Sequence, residues 1–365
     1  MANRIYLDAN ASEPLRPEAR AALLAALAAD ANPASVHAPG RAARAILDTA
    51  REVLGARFGA HPARVVFTSG GAEANALAIH ALGRARRLIV SAIEHDSILA
   101  AAPDAATLPV DADGIVRLAA LAPLLAQGPA LLCLMAANNE TGAIQPVGEA
   151  AAICRAHGAL LHVDAIQAAG RIPLDLAGLG ADSLAVSGHK LGGPPGAGAL
   201  LFAADPPVRP LIPGGGQERG MRGGTPPLPA IAGMAAAATV AAADLAPLRD
   251  AAQRAATACG GMVIARAAPR LANTLCVALP GVAAATQVMA LDLAGIAVSA
   301  GAACSSGKIA SSHVLSAMGL GPLAGEAIRV SLPWNASADD IDAFACAYAA
   351  MARRAARSPA VGSLA

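Results

Sequence analysis

Several short stretches carry side chains whose types and spacing can do chemistry. In Ser187-Gly188-His189-Lys190 an apolar run ends in a polar turn with a lysine, and a glycine-rich segment follows. An amine held among small residues at a strand end can bond an aldehyde cofactor once burial or nearby charge lowers its pKa. A solvated lysine in a turn is the plainer alternative. Leu160-Leu161-His162-Val163-Asp164 is a buried-type run closed by a carboxylate, with Gln167 three positions on. Such a carboxylate can keep a ring nitrogen protonated, or merely cap the next helix. The turn from Thr68 to Asn75 is made of small residues and opens a helix, which suits an anion, with Ser187 and His189 as further donors. His95, in Ile93-Glu94-His95-Asp96-Ser97, can stack on a ring, shuttle a proton or be structural. Cys304 stands in Ser299-Ala300-Gly301-Ala302-Ala303-Cys304-Ser305-Ser306-Gly307-Lys308, where small neighbours and Lys308 favour an accessible thiolate. Arg329 lies in the apolar stretch Ile328-Arg329-Val330-Ser331 and needs a carboxylate, either a substrate's or a structural partner's.

These residues need elements to hold them. Strands are expected at 64–68, 87–92, 130–136, 159–164, 183–187 and 199–202, alternating with helices such as 73–84 and 147–157. That rhythm predicts an α/β fold with a mainly parallel sheet, whose ligands bind beyond the carboxyl ends of the strands. The polar clusters stand at those ends. Helices are also expected at 17–30 and 41–58, and a long alanine-rich one begins near Ala230, after the Gly/Pro-rich 213–229. From about Ala246 the pattern changes to strands at 273–279, 296–300 and 327–332 with helices at 284–294, 311–318 and 337–357, a smaller α+β domain. The expected division is a large domain, 16–245, and a small one, 1–15 with 246–365.

Composition excludes other classes. The 27 basic residues balance 26 acidic ones, which argues against a nucleic-acid partner. Hydrophobic content is 55%, but alanine supplies much of it and charges, Pro or Gly interrupt every apolar stretch, so no membrane span is expected. No signal peptide is visible at the start, and a cytoplasmic protein is the expectation. Six cysteines are too dispersed for a metal site or a disulfide framework, so no metal is expected; all except Cys304 read as small buried hydrophobes.

Taken in order, these stretches resemble the NifS/IscS cysteine desulfurases, in the class V aminotransferase group of fold-type I pyridoxal 5'-phosphate (PLP) enzymes. The likeness extends through Tyr6-Leu7-Asp8, Asn32 to His37, Asn138-Asn139-Glu140-Thr141-Gly142 and Gly214 to Arg222. It implies a seven-stranded sheet. It also implies that Lys190 forms the Schiff base, Asp164 pairs with the pyridine nitrogen, Gln167 bonds the ring hydroxyl and His95 stacks on the ring. Asn139 and Arg329 would hold the substrate carboxylate. Phosphate contacts fall to Gly71, Ala72, Ser187 and His189, with Thr225 reaching across from a second subunit of a homodimer. The implied reaction converts L-cysteine to L-alanine with persulfide left on Cys304, for delivery to a sulfur-acceptor protein such as an iron–sulfur scaffold. A selenocysteine lyase, another class V lyase or aminotransferase, and a non-catalytic PLP-fold scaffold are the alternatives. Two departures stand out. Ala72 replaces the family's usual threonine, and Pro333-Trp334 replaces its Gly-Arg, removing a charge near the expected substrate entrance.

Overall fold

The computed structural model describes residues 4–205, 209–301 and 311–357. Thirteen strands are described: β1 (Ile5–Tyr6), β2 (Val65–Thr68), β3 (Arg87–Ser91), β4 (Ala106–Leu108), β5 (Ala130–Met135), β6 (Leu160–Asp164), β7 (Ser183–Ser187), β8 (Gly198–Phe202), β9 (Met262–Val263), β10 (Thr274–Ala278), β11 (Ile296–Ala297), β12 (Ser299–Ala300) and β13 (Ala327–Ser331). Seven form the central sheet, in the order β2-β8-β7-β6-β5-β3-β4. Strands β7, β6, β5, β3 and β4 run parallel, whereas β8 is antiparallel to both of its neighbours. The mainly parallel seven-stranded sheet is therefore as expected.

Continuous apolar runs form these strands because both faces are covered. Along β5, Leu132 and Leu134 join the core on one face, while Leu131 and Cys133 join the core on the other. The first face is covered by the helices Ala38–Phe58, Val147–Ala156 and Leu228–Thr239, the second by Gly71–Leu82.

A four-stranded antiparallel sheet, β12-β13-β10-β9, packs a separate core with the helices Ala246–Ala258, Ala284–Leu293 and Ala338–Arg357. The expected strand over 296–300 divides in two. Its first half pairs with β1 and its second with β13, because the chain changes partner at Val298. The helix His313–Ala317 belongs by sequence to the smaller unit, yet Val314, Leu315 and Met318 pack into the core of the central sheet. Residues 5–9 bond to both Ala297 and Ser331, and so lie between β11 and β13. The chain then crosses to the central sheet at Asn10.

Not all the cysteines outside the Cys304 loop are the buried hydrophobes expected of them. Cys133, Cys154 and Cys276 are buried, but Cys259 is only partly so and Cys346 is exposed. The Ala338–Arg357 helix buries Ile341, Phe344, Tyr348 and Met351; position 346, two past Phe344, falls on the opposite face. Cys304 lies outside the described residues. Among those described, no helix is long and apolar enough to cross a membrane.

Candidate active site

A cavity of about 570 Å³ opens at the carboxyl ends of the parallel strands. It gathers Gly71, Ala72, His95, Asn139, Asp164, Gln167, Ser187, His189, Lys190 and Arg329. Asp164 is the last residue of β6 and Ser187 the last of β7, and Lys190 sits in the single helical turn Gly188–Leu191 that follows. Gly71 and Ala72 begin the Gly71–Leu82 helix just past β2, and His95 follows the end of β3. Thr225 is exposed and outside the cavity lining.

Lys190 Nζ donates to the carbonyls of Asn10 and, at 2.9 Å, Ala11. Burial, reinforced by the nearby charges of Arg329 and Arg171, pulls its pKa down to about 7. A large fraction of the amine is thus neutral near neutral pH, as bonding an aldehyde requires. Asp164 accepts from the Ile166 N–H at 2.9 Å and from Asn75 Nδ2 at 2.7 Å. Burial raises its pKa, and those two donors pull the other way.

Arg329 is 7% exposed, and its guanidinium is divided between partners. Nη2 donates to Asp8 Oδ1 at 2.8 Å and Nη1 to the Asn139 carbonyl at 3.1 Å, while the buried Nε has no partner among the described residues. The structural salt bridge expected as an alternative is therefore present, and Nε stays unmatched among the described residues. Gln167 Nε2 donates to the Asn10 carbonyl at 2.9 Å, and its Oε1 accepts from Arg171. His95 Nδ1 accepts the Ser97 N–H at 3.1 Å, capping the next turn. His189 is pushed down to about 4 by burial and by Lys190, so its ring is neutral.

Three residues gain importance that sequence reasoning gave no role. Asn10 uses its carbonyl for Lys190 and Gln167 and its amide for the Asn139 carbonyl and Thr274. Asn75 lies against Asp164. Glu94 is fully buried, which raises its carboxyl to about 8, and accepts from Ser91 and the Met135 N–H. Asn10 and Asn75 stand beside or within stretches that carried the resemblance, which was the available signal. Trp334, in contrast, is not part of the cavity lining. Its Nε1 donates to the Pro14 carbonyl at 3.0 Å and its ring lies under Arg16.

PLP requires an amine for its aldehyde, a carboxylate for its ring nitrogen and an anion site for its phosphate. The cavity offers Lys190 and Asp164 for the first two. For the third, the buried Ser187 Oγ has no partner among the described residues, and Ser187 lines the cavity beside the start of the Gly71–Leu82 helix. There a Cβ on residue 71 would come within 2.2 Å of Ile166 Cδ1, so glycine leaves room that Ile166 uses. The donor set fits the cofactor.

Comparison with known proteins agrees. The Aminotransferase class-V family matches residues 5–344. A cysteine desulfurase of Cereibacter sphaeroides is 40% identical over 93% of both chains, and an IscS-like cysteine desulfurase of Mycobacterium tuberculosis 37% identical over 93% of both. The solved structure of a NifS-like protein from Rickettsia africae superposes with a TM-score of 0.88 at 31% identity, covering 95% of this chain and 99% of that one. With its cavity at the strand ends and these matches along nearly its whole length, the chain belongs to the class V aminotransferase family of PLP-dependent enzymes.

Proposed function

We propose that this protein is a cysteine desulfurase that converts L-cysteine to L-alanine and receives the sulfur on Cys304. The carrying observation is the lowered Lys190 amine in one cavity with Asp164 and the unmatched Nε of Arg329. Lys190 would hold the cofactor aldehyde and Asp164 the pyridine nitrogen, with Gln167 at the ring hydroxyl and His95 at the ring face. Gly71, Ala72, Ser187 and His189 would take the phosphate, joined by Thr225 of a second copy in a homodimer. When bound, PLP supplies an electron sink for charge developing on the substrate carbon.

The protein's own groups do the rest. Arg329 Nε and the Asn139 side chain orient the substrate carboxylate. Lys190, titrating near neutrality, takes and returns protons at Nζ. The Cys304 thiolate forms an S–S bond as the substrate C–S bond breaks. The carbon gains a proton, and the products are alanine and a persulfide on Cys304. A sulfur-acceptor protein then takes the outer sulfur. In this reading 16–245 form the large domain, and 1–15 with 246–365 the small domain that carries Cys304.

The test is incubation with L-cysteine, measuring alanine and sulfide and locating the persulfide by mass. Alanine with persulfide on Cys304 is expected. Alanine released from selenocysteine alone, or persulfide confined to another cysteine, overturns the assignment.

A further inference from the structure

A chain of buried polar side chains runs away from the cavity behind Asp164, and with Asp164 ionised it has one direction. An ionised carboxylate only accepts, so Asn75 must present its Nδ2 to Asp164 Oδ2, at 2.7 Å. That leaves Asn75 Oδ1 facing His162 Nε2 at 3.1 Å, so Nε2 carries the ring proton. His162 Nδ1 is then an acceptor, and the Ser183 hydroxyl, 2.8 Å away, donates into it. Burial drops His162 to about 3, so the ring stays neutral and the direction is single. His162 and Asp164 are two apart on β6 and share a face, Ser183 opens β7 opposite His162, and Asn75 comes from the Gly71–Leu82 helix.

Asn75 has a second Nδ2 proton, which it gives to Ser97 Oγ at 2.9 Å. The Ser97 hydroxyl is in turn 2.9 Å from His95 Nδ1, which also accepts the Ser97 N–H. Donating into Nδ1 leaves the proton of a neutral His95 on Nε2. One amide therefore connects Asp164 with His95.

We propose that Ser183, His162 and Asn75 are positioning residues, a one-way donor chain that holds Asp164 as an anion in a buried place and, through Ser97, fixes the orientation of His95. The inference rests on the reading that Asp164 meets the pyridine nitrogen of PLP. Burial alone favours the protonated acid, which cannot hold a proton on that nitrogen. A charge-assisted bond from Asn75, polarised by the donors behind it, favours the anion.

The test uses holoenzyme loaded with PLP labelled with 15N in the ring, and follows the nitrogen's chemical shift with pH. His162→Leu and Asn75→Leu should each lower the pH at which the ring nitrogen loses its proton by about one unit. His162→Gln, which keeps an N–H toward Asn75, should recover most of the wild-type value. Asp164→Asn should move the titration further than any of them. If Asp164→Asn moves it and the leucine variants do not, the donor chain is refuted while the Asp164 reading stands. If Asp164→Asn leaves it unmoved, that reading fails first. Should the leucine variants not fold, Ser183→Ala trims only the outer hydroxyl. A smaller shift in the same direction supports the chain, and an unchanged titration overturns it.

Discussion

Arg329 Nη2 lies 2.8 Å from Asp8 Oδ1, so the guanidinium assigned to the substrate carboxylate is already shared with a carboxylate of the protein. Asp8 also accepts from Ser299 Oγ at 3.0 Å, which ties residues 5–9 to β12 and β13. Charge and orientation can be separated by substitution. Asp8→Asn keeps an oxygen for Nη2 but removes the negative charge that repels an incoming carboxylate, so KM for L-cysteine should fall about threefold. Asp8→Ala loses the orientation too, and its KM should rise. Equal KM values for the two variants would contradict this division of labour.

The pH dependence of cofactor capture should report Lys190. Only the neutral amine attacks an aldehyde, so the rate at which apoprotein takes up PLP should rise with pH through a midpoint near 7 and then level off. A midpoint near 10.5, the ordinary lysine value, would contradict the burial described here. Stability has a matching sign. The folded pKa lies below the unfolded one, so the unfolded chain binds more protons between about 7 and 10.5, and this group makes the apoprotein more stable as pH rises through that window. Lys190→Ala should remove that pH dependence, visible in thermal melts, and abolish alanine formation.

Lys190, Asp164 and Ser187 were legible in the sequence because parallel strands buried on both faces read as unbroken apolar runs, and a polar residue ending such a run marks the ligand side of the sheet. Asn10 was not legible. It contacts Lys190 with its main-chain carbonyl, across 180 positions of sequence, and a carbonyl carries no residue signature. Asn75 is one face of an alanine-rich helix until the fold brings it to Asp164, 89 positions away. The strands β1, β9, β11 and β12 are two residues long, too short for an alternation to register, and are fixed by pairing instead. The Ala246–Ala258 helix has no legible apolar stripe because alanine blurs its buried face, only Ala252 and Ala256 being buried.

Cys304 is where a desulfurase parts from its sister enzymes. A free thiol of pKa about 8.5 is only a few per cent thiolate at neutral pH, so activity should climb through the mildly alkaline range unless the site lowers that value. Cys304→Ser should keep the cofactor spectrum and cysteine binding, while persulfide disappears from the mass spectrum and alanine release falls at least about a hundredfold. Alanine release at the wild-type rate would sink the role.

Gly71 and Ile166 should behave as a coupled pair. A methyl on residue 71 would fall 2.2 Å from Ile166 Cδ1, the free end of a side chain that also lines the cavity. Gly71→Ala should therefore displace Ile166 rather than the backbone, leaving stability within about 1 kcal/mol of wild type but weakening PLP binding. Ile166→Ala in the same chain should restore the affinity. Independent, additive effects in a double-mutant cycle would show that the two side chains do not compete for that space.

Ala72 offers a gain-of-affinity test of the phosphate cradle. It is exposed in the cavity lining, in the first turn of the Gly71–Leu82 helix, so a larger side chain meets no packed core. Its backbone N–H is free of an intrahelical partner at that position, and the helix dipole adds to its pull on an anion. Threonine would place a hydroxyl beside that N–H. A single hydroxyl hydrogen bond nets about 0.5–1.5 kcal/mol, which corresponds to roughly twofold to thirteenfold in affinity. Ala72→Thr should tighten PLP by that factor in an absorbance titration of the apoprotein. Pyridoxal, which has the aldehyde and ring but no phosphate, should bind the variant and the wild type alike. An unchanged PLP affinity would remove the helix start at Gly71 and Ala72 from the phosphate site, and a gain shared by pyridoxal would place the new contact on the ring.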